Sequence, residues 1–427
     1  MASPYPDGDR EKVASKLPSA LQQQLKVRAA ELTLDIQDAV EAAITAWRAT
    51  ERPGFEVDTA GAKSFSTWLP PGLYEDFKDT CTQRNVSYTQ GLAQAVRDWL
   101  DDHPSPTQAA RPEETRRIVV CNQKGGVGKT TIAAGTAEAH AETPGTGAKY
   151  LHQFIADLTQ TELDRLNRTR EQLAATVSEY TAGGQNVLLV DYDPQLHLSK
   201  QLGITPIPVG EESLVRHMTG EADGDLRNLL VPIDDPRFGG RLHVLPGTRE
   251  AFLLDSKLAL TAAQSRGFQK ESALERALRP LEADYDVIII DAPPSLGLSM
   301  DAALYYARRR PNEKPGRSGV LIPVQSEDSS ADAYDMLAEQ IEDLEEDLHL
   351  AIDQLGIVVN LFDSRRGYIA TSSLEEWHNL EGPTVVAVLD DLKEQREAVR
   401  VKRPLLAYDP ASKQANIMRL IVAGAGR

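Results

Sequence analysis

The sequence contains little cysteine, few aromatic residues and no long apolar run. Cys81 and Cys121 are the only cysteines among 427 residues, too few for a disulfide framework or a zinc site. No apolar stretch approaches the ~18 residues of a membrane-spanning helix. The first residues, MASPYPDGDREK, lack the apolar core of a signal peptide. We therefore expect a soluble cytoplasmic protein.

Positive charge is also scarce. The chain has 64 acidic and 46 basic residues, which gives a net charge of −18. Because nucleic acids attract basic surfaces, any contact with them must be confined to a local patch. The length allows two or three domains.

An internal repeat occupies the first 100 residues. The stretch from Leu17 to Arg48 aligns without a gap with Leu69 to Leu100, at an offset of 52 residues. Apolar residues recur at helical spacing in both copies, which predicts two short helices joined by a polar turn in each. The alternating stretch Ser64–Leu69 predicts a strand before the second copy, and Lys12–Leu17 is its less apolar counterpart. The paired apolar positions are Leu17/Leu69, Leu21/Leu73, Leu25/Phe77, Ala29/Cys81, Leu34/Val86, Val40/Leu92, Ala43/Ala95, Ile44/Val96 and Trp47/Trp99.

One strand and two helices per copy resemble the ribbon-helix-helix DNA-binding fold, whose paired strands enter the major groove. The resemblance implies that residues 1–103 form one such unit within a single chain. The candidate DNA contacts are Lys12, Lys16, Lys63, Ser64 and Ser66. The alternative is a helical module for dimerisation or partner docking, because residues 1–102 carry 11 basic and 16 acidic side chains. Residues 104–116, rich in proline and charge, are predicted to be a linker.

A glycine-rich stretch, NQKGGVGKTT (Asn122–Thr131), follows the apolar run Ile118–Cys121 and precedes a predicted helix. A strand, a glycine loop and a helix N-terminus form a phosphate cradle, because backbone N–H groups converge on the anion. Lys129 is predicted to reach the terminal phosphates and Thr130 to ligate Mg²⁺. The predicted nucleotide-binding residues of the loop are Gly125, Gly126, Val127, Gly128, Lys129, Thr130 and Thr131. The usual pattern would place a glycine where Gln123 stands, and a second lysine, Lys124, follows it.

Strand-like apolar runs alternate with helical patterns from residue 117 to the end, which predicts a doubly wound, mostly parallel α/β sheet. Three aspartates follow such runs: Asp191 and Asp193 in DYDPQ, and Asp291 in DAPP. Ligand groups in open α/β sheets gather beyond the carboxyl ends of the strands. We therefore expect these three side chains to face the phosphate loop. The predicted strands are 118–121, 187–190, 242–245, 287–290, 320–323, 357–359 and 385–388.

The motifs KGGVGKTT, DYDPQ and YDVIIIDAPPSLG together resemble the deviant Walker-A ATPases of the ParA partition family, and the resemblance covers residues 117–427. It implies ATP and Mg²⁺ as cofactors and an ATP-sandwich homodimer in which Lys124 reaches the partner's nucleotide. By the same resemblance Asp193 positions the hydrolytic water, Asp191 supports the waters of the metal and Asp291 is the Walker-B carboxylate. Asn360 resembles the base-contacting asparagine of the family, with a turn cap as the alternative.

The resemblance also implies non-specific DNA binding, association with the nucleoid and a centromere-binding ParB-like adaptor that stimulates hydrolysis. The candidate DNA contacts in this domain are Arg365, Arg366, Arg400 and Arg403, with a solvated charged face as the alternative. Residues 142–184 exceed the usual family length and are predicted to be a longer helix packed on the sheet, or an added docking surface.

These motifs fit several functions to different degrees. Partition of a plasmid or chromosome is favoured, and positioning of a protein cargo or an ATP-switched transcription regulator remain alternatives. A membrane-cycling relative is disfavoured because the C-terminal stretch SKQANIMRLIVAGAGR is only weakly basic. A nitrogenase-type reductase is excluded because its cluster needs cysteine thiolates from both subunits, whereas Cys121 lies in the strand before the loop and Cys81 in the repeat.

Overall fold

The chain forms two compact units, which divide between Arg111 and Pro112. A computed structural model describes residues 10–31, 34–50, 57, 59, 62–103, 114–143, 145–178, 183–265 and 267–426. Within these ranges no helix is long and apolar enough to cross a membrane.

The first unit is a two-stranded ribbon backed by four helices. Its elements are β1 (Glu11–Leu17), α1 (Ser19–Glu31), α2 (Ile36–Ala49), β2 (Lys63–Leu69), α3 (Leu73–Gln83) and α4 (Tyr88–Asp102). The two strands pair in antiparallel fashion along their whole length, with Ala14 opposite Ser66 at the centre. These two positions are equivalent in the repeat, so the ribbon has an approximate two-fold axis at its centre. Both predicted strands are therefore present, paired within one chain.

The repeated apolar positions build the core of this unit. Leu17, Leu25 and Phe77 are fully buried, and Phe77 packs 5.6 Å from the Trp47 ring. Ser87 caps α4 as its hydroxyl accepts a hydrogen bond from the Gln90 N–H. Leu34, one of the paired apolar positions, is 42% exposed because it lies in the turn between α1 and α2.

The second unit is built on an eight-stranded sheet in the order β10-β9-β8-β3-β7-β4-β6-β5. All of its pairings are parallel except that of β5 with β6. The strands are β3 (Arg116–Val120), β4 (Val187–Asp191), β5 (Val231–Pro232), β6 (Leu242–Leu245), β7 (Val287–Asp291), β8 (Gly319–Val324), β9 (Gln354–Phe362) and β10 (Val385–Asp390). The α/β class and its mostly parallel sheet are confirmed.

Helices alternate with these strands and cover the sheet. They are α5 (Lys129–Ala141), α6 (Thr146–Asp157), α7 (Gln160–Leu166), α8 (Arg170–Ser178), α9 (His197–Gln201), α10 (Leu214–Thr219), α11 (Leu254–Gln264), α12 (Ala273–Glu282), α13 (Leu298–Ala307), α14 (Asp328–Leu348), α15 (Tyr368–Asn379), α16 (Glu394–Arg400), α17 (Leu405–Tyr408) and α18 (Lys413–Gly424). Short 3₁₀ turns occupy Leu226–Leu229, Arg249–Leu253 and Ser364–Arg366. Every residue of β4, β7 and β8 is buried, as expected for strands covered on both faces.

Strand β3 begins earlier than the sequence suggested, at Arg116, inside the predicted linker. Arg117 is fully buried and donates a hydrogen bond to Glu313, which is also buried. Arg117 and Glu313 are far apart in the sequence, so their ion pair leaves no local pattern that predicts it. The adjacent arginines Arg116 and Arg117 instead look like part of a charged linker. Residues 104–113 of that linker lie outside the described ranges.

The extra segment at residues 142–184 forms three short helices, α6 to α8, rather than one long helix. Helix α6 ends at Asp157, and α7 begins separately because the Thr159 hydroxyl and Glu162 make a reciprocal capping box at its start. Asn167, at φ 49°, turns the chain again before α8. Leu151, Leu163 and Leu173 are buried in the main core of the second unit. The prediction that this segment packs on the sheet therefore agrees with the structure, whereas the prediction of a single long helix was wrong. Tyr180 of this segment lies outside the described residues.

Candidate nucleotide site

The glycine loop connects β3 to α5 in the conformation expected of a phosphate cradle. Gly126 and Gly128 adopt φ values of 79° and 92°, a region that favours glycine. A Cβ atom on Gly128 would also lie 2.0 Å from Nδ2 of Asn360. That amide donates a 2.8 Å hydrogen bond to the Val127 carbonyl. Asn360 therefore supports the loop from the end of β9, and its contact with a nucleobase stays a prediction.

Lys129 lies at the first position of α5 with its side chain folded back over the loop. Its Nζ donates a 3.0 Å hydrogen bond to the carbonyl oxygen of Lys124. Burial lowers the pKa of Lys129, while Asp291 and Asp193 oppose that effect. The ammonium thus lies between the loop and two carboxylates, at the centre of the predicted site.

The three predicted carboxylates do meet at the carboxyl edge of the sheet. Asp191 and Asp291 end β4 and β7 and are direct partners in the parallel register. Asp191 accepts hydrogen bonds from the backbone N–H and the hydroxyl of Ser199, at 2.9 and 2.5 Å. Burial, reinforced by Asp193, raises the pKa of Asp191 to about 6 although Ser199 lowers it. Asp193 accepts a 2.8 Å hydrogen bond from the Gln195 N–H, which fixes its orientation.

Asp291 is the least satisfied of the three. It is 1% exposed, and neither of its carboxylate oxygens has a well-formed hydrogen bond to any described residue. Burial and the neighbouring Asp191 and Asp193 raise its pKa well above the usual range, while the nearby Thr130 hydroxyl and Lys129 lower it. Unpaired buried carboxylates are costly unless a cation joins them.

These oxygen donors suit Mg²⁺ bound together with a nucleotide. No group of three or more His, Cys, Asp or Glu side chains in the described ranges could hold a metal alone. Mg²⁺ in nucleotide sites usually takes one or two protein groups and completes its shell with phosphates and water. Thr130, Asp191 and Asp291 therefore fit the predicted role.

Lys124, the second lysine of the loop, is held by its own chain. Its backbone N–H donates a 2.9 Å hydrogen bond to Oδ1 of Asn122. Its ammonium donates to a Glu327 carboxylate oxygen and to the Ser329 and Ser330 hydroxyls, at 2.7 and 3.3 Å for the two serines. In this single chain the lysine thus points to the start of α14, and its reach into a partner subunit stays a prediction.

The segment after β8 contacts the loop closely, although the sequence analysis assigned none of its residues to the site. Asn122 donates a 2.7 Å hydrogen bond to the Pro323 carbonyl, and Gln325 donates one of 3.3 Å to the Gly126 carbonyl. The signal was the polar run QSEDSS (Gln325–Ser330), which follows a buried strand as the aspartate motifs do. Glu327 and Ser199 are further site residues that sequence reasoning did not single out.

The candidate DNA arginines follow the ends of the neighbouring strands β9 and β10. Arg365 is 86% exposed and pairs with Asp363, while Arg366 is 56% exposed and pairs with Glu327. Arg403 lies 3.4 Å from Asp235. Arg400 is exposed and has no ion pair among the described residues. The patch is thus accessible but partly neutralised by carboxylates.

The ribbon presents four of its five candidate contacts on one face. Lys12, Lys16, Ser64 and Ser66 occupy exposed alternate positions, with Lys16 opposite Ser64. Lys63 is exposed, but it lies two residues before the buried Phe65 and so is on the opposite face of the strand from the other four. Trp68, opposite Lys12, completes the outward set and was not predicted.

The parallel sheet, glycine cradle and facing carboxylates define the class of phosphate-loop nucleotide-binding proteins. A family model described as an AAA domain matches residues 169–354. The chromosome partitioning protein ParA of Myxococcus xanthus is 30% identical over 302 residues, which cover 70% of this chain and 83% of that protein. The sporulation initiation inhibitor protein Soj of Bacillus subtilis is 27% identical over 70% of this chain and 94% of its own length.

Among solved structures, cobyrinic acid a,c-diamide synthase of Mycobacterium smegmatis, with bound ATP analogue and magnesium, is 26% identical. It matches 67% of this chain and 92% of its own, with a TM-score of 0.45. The sequence relatives establish the family: the chain belongs to the ParA family of chromosome-partitioning proteins.

The buried charge of Asp291 predicts a stability effect that depends on pH. Its folded pKa is raised, so the penalty for ionising it is absent below the unfolded pKa of about 4 and grows as pH rises. Asp291→Asn should therefore raise the melting temperature of nucleotide-free protein by at least about 2 °C at pH 8. The gain should shrink toward pH 4. Scanning calorimetry at both pH values measures it.

Asp223→Asn is the matched control, because Asp223 is exposed and should show no such gain. An Asp291→Asn variant that melts below the wild-type protein at pH 8 would mean that the carboxylate is already neutralised by the fold.

Proposed function

We propose that this protein is a Mg²⁺-dependent ATPase that dimerises around ATP, binds DNA without sequence preference and partitions a plasmid or chromosome. The observation that carries the proposal is the second loop lysine, Lys124, beside a cradle faced by Asp191, Asp193 and Asp291. Membership in the ParA family supports the cargo class, since the Myxococcus relative is named for chromosome partitioning.

Each side chain has a role that follows from its chemistry. The N–H groups of Gly125–Thr131 and the ammonium of Lys129 bind the phosphates. Thr130, Asp191 and Asp291 hold Mg²⁺ or its waters, and the ion supplies charge neutralisation on the phosphate oxygens. Asp193, already oriented by Gln195, accepts a hydrogen bond from the attacking water and so aligns it.

Lys124 makes hydrolysis depend on association. A lysine from the partner adds positive charge at the terminal phosphate only when two subunits are docked. The active dimer then has two complete sites, and loss of the terminal phosphate removes the anion that holds the lysines. Dissociation after hydrolysis follows, and a centromere-bound adaptor that speeds hydrolysis sets the timing.

An ATP-switched transcription regulator is the second candidate, and the ribbon favours it. The exposed face with Lys12 and Lys16 is complete within one chain, and a two-stranded ribbon fits the major groove. Both functions can coexist, with the ribbon reading an operator or centromere. Positioning of a protein cargo is a variant of the first candidate.

The ATPase rate distinguishes the candidates. We expect slow hydrolysis by the protein alone and stimulation of at least about tenfold when DNA and a centromere-binding ParB-like adaptor are both present, because trans-activation of this kind lowers the barrier. Phosphate release is the measurement, with ADP-loaded protein as the blank. A rate that ignores both additions would contradict partition and favour the regulator.

The two DNA surfaces should fail separately. Replacing Arg365 and Arg400 with glutamate should lower the ATP-dependent affinity for random-sequence DNA by about tenfold or more near 0.1 M salt, because phosphate contacts supply that affinity. Replacing Lys12 and Lys16 with alanine should leave that binding intact and remove binding to the DNA upstream of the protein's own gene. Fluorescence anisotropy measures both.

The controls are Lys149→Glu with Arg279→Glu for the arginines, and Lys26→Ala with Arg97→Ala for the ribbon, since all four residues are exposed elsewhere on their units. Equal losses in test and control variants would mean that only net charge matters. If the variant with glutamate at positions 365 and 400 binds random-sequence DNA as the wild-type protein does, these arginines are not DNA contacts.

A further inference from the structure

Glu327 joins two cations that come from different parts of the second unit. It lies between β8 and α14, at the N-cap of that helix. One carboxylate oxygen accepts from the Lys124 ammonium in the phosphate loop. The other accepts a 3.3 Å hydrogen bond from Nη1 of Arg366, beyond the end of β9. A single carboxylate thus connects the second loop lysine with a candidate DNA contact.

The hold on Lys124 is complete in hydrogen-bonding terms. An ammonium has three N–H donors, and Glu327, Ser329 and Ser330 provide three acceptors. The Lys124 side chain is 19% exposed and that of Glu327 33%, so water competes only partly. The Lys124 hydrogen bond and charge, with a smaller contribution from Arg366, lower the pKa of Glu327 and keep it ionised at neutral pH.

We propose that Glu327 holds Lys124 within its own subunit and thereby opposes the ATP-bound dimer. The inference rests on the proposed function, in which Lys124 serves the partner's nucleotide. To reach that nucleotide the lysine must give up all three acceptors. The strength of this contact therefore sets how readily dimers form, and Glu327 is a positioning residue rather than a catalytic one.

The same contact ties DNA binding to the lysine. Because Lys124 and Arg366 share Glu327, each weakens the other's attraction to it. When Arg366 turns to a DNA phosphate, Glu327 binds Lys124 more strongly, and by linkage the lysine's departure strengthens the hold on Arg366. Through this carboxylate, DNA contact by Arg366 and release of Lys124 oppose each other, which reduces the gain in DNA affinity that dimer formation brings.

Glu327→Gln tests the inference directly. Removing the carboxylate should lower the dimer dissociation constant in ATP by about fivefold, the low end for coupled sites because the pair is partly exposed. The salt-dependent affinity for random-sequence DNA should rise as well. Sedimentation velocity with ATP, with Mg²⁺ present, measures the first quantity. Glu346→Gln is the control, because Glu346 is exposed on the same helix and the change of net charge is identical.

A second readout needs no nucleotide. Lys124 in the wild-type protein should react slowly with an acylating reagent, and Glu327→Gln should speed its labelling several-fold. Lys393, 77% exposed, is the internal standard in the same mass spectrum. Ser329→Ala, which removes one acceptor at an exposed serine, should shift labelling and dimerisation in the same direction by less, and it serves if Glu327→Gln does not fold.

The outcomes separate the two proposals. Faster Lys124 labelling together with tighter dimers supports the role of Glu327. A wild-type protein that dimerises with ATP while Glu327→Gln matches it, or dimerises less, overturns that role alone. A wild-type protein that stays monomeric with ATP contradicts the proposed function, and the role of Glu327 falls with it.

Discussion

Like charge gathered at one edge of the sheet is the constraint on which the second unit depends. The parallel register of β3, β7 and β4 sets Asp191 directly against Asp291, with Asp193 two residues on. Only Lys129 offers them a buried cation among the described residues, and burial lowers its own pKa. Burial, reinforced by the neighbouring carboxylates, raises the pKa values of Asp191 and Asp291. A divalent cation bound with a nucleotide offsets the negative charge of these carboxylates. Without that ligand, the carboxyl edge of the sheet holds more negative than positive charge.

Residues from several loops keep that edge in shape. Asn360 fills the space that a side chain on Gly128 would need and binds the Val127 carbonyl. Asn122 and Gln325 tie the loop to the end of β8. Glu327 adds a further contact, because it accepts hydrogen bonds from both Lys124 and Arg366. Neighbouring parallel strands place these groups at one edge of the sheet. A conformational change of the phosphate loop therefore alters its contacts with the segments after β8 and β9.

Much of this could be predicted because the informative residues are contiguous. The cradle, the three aspartates and the α/β sheet each have a local pattern, and the repeat showed that two strands and four helices recur at a fixed offset. What sequence missed depends on pairs far apart in the chain. Arg117 with Glu313, Asn360 with Val127 and Lys124 with Glu327 are contacts that no periodicity encodes. The three-helix insert was missed because Thr159 and Asn167 interrupt the helix through local hydrogen bonds and a left-handed turn, whereas the apolar spacing continues past them.

The proposed function depends on Lys124 acting on the nucleotide of a partner subunit. Mixing Lys124→Ala with Asp193→Asn tests it most directly, because each protein alone lacks one required group. In a mixed dimer the site that retains Asp193 receives Lys124 from the other subunit and is complete. We expect ATP hydrolysis, absent from either variant alone, to return when the two are combined. A mixture as inactive as its components would contradict it, since a lysine acting in its own subunit cannot repair the neighbour's site.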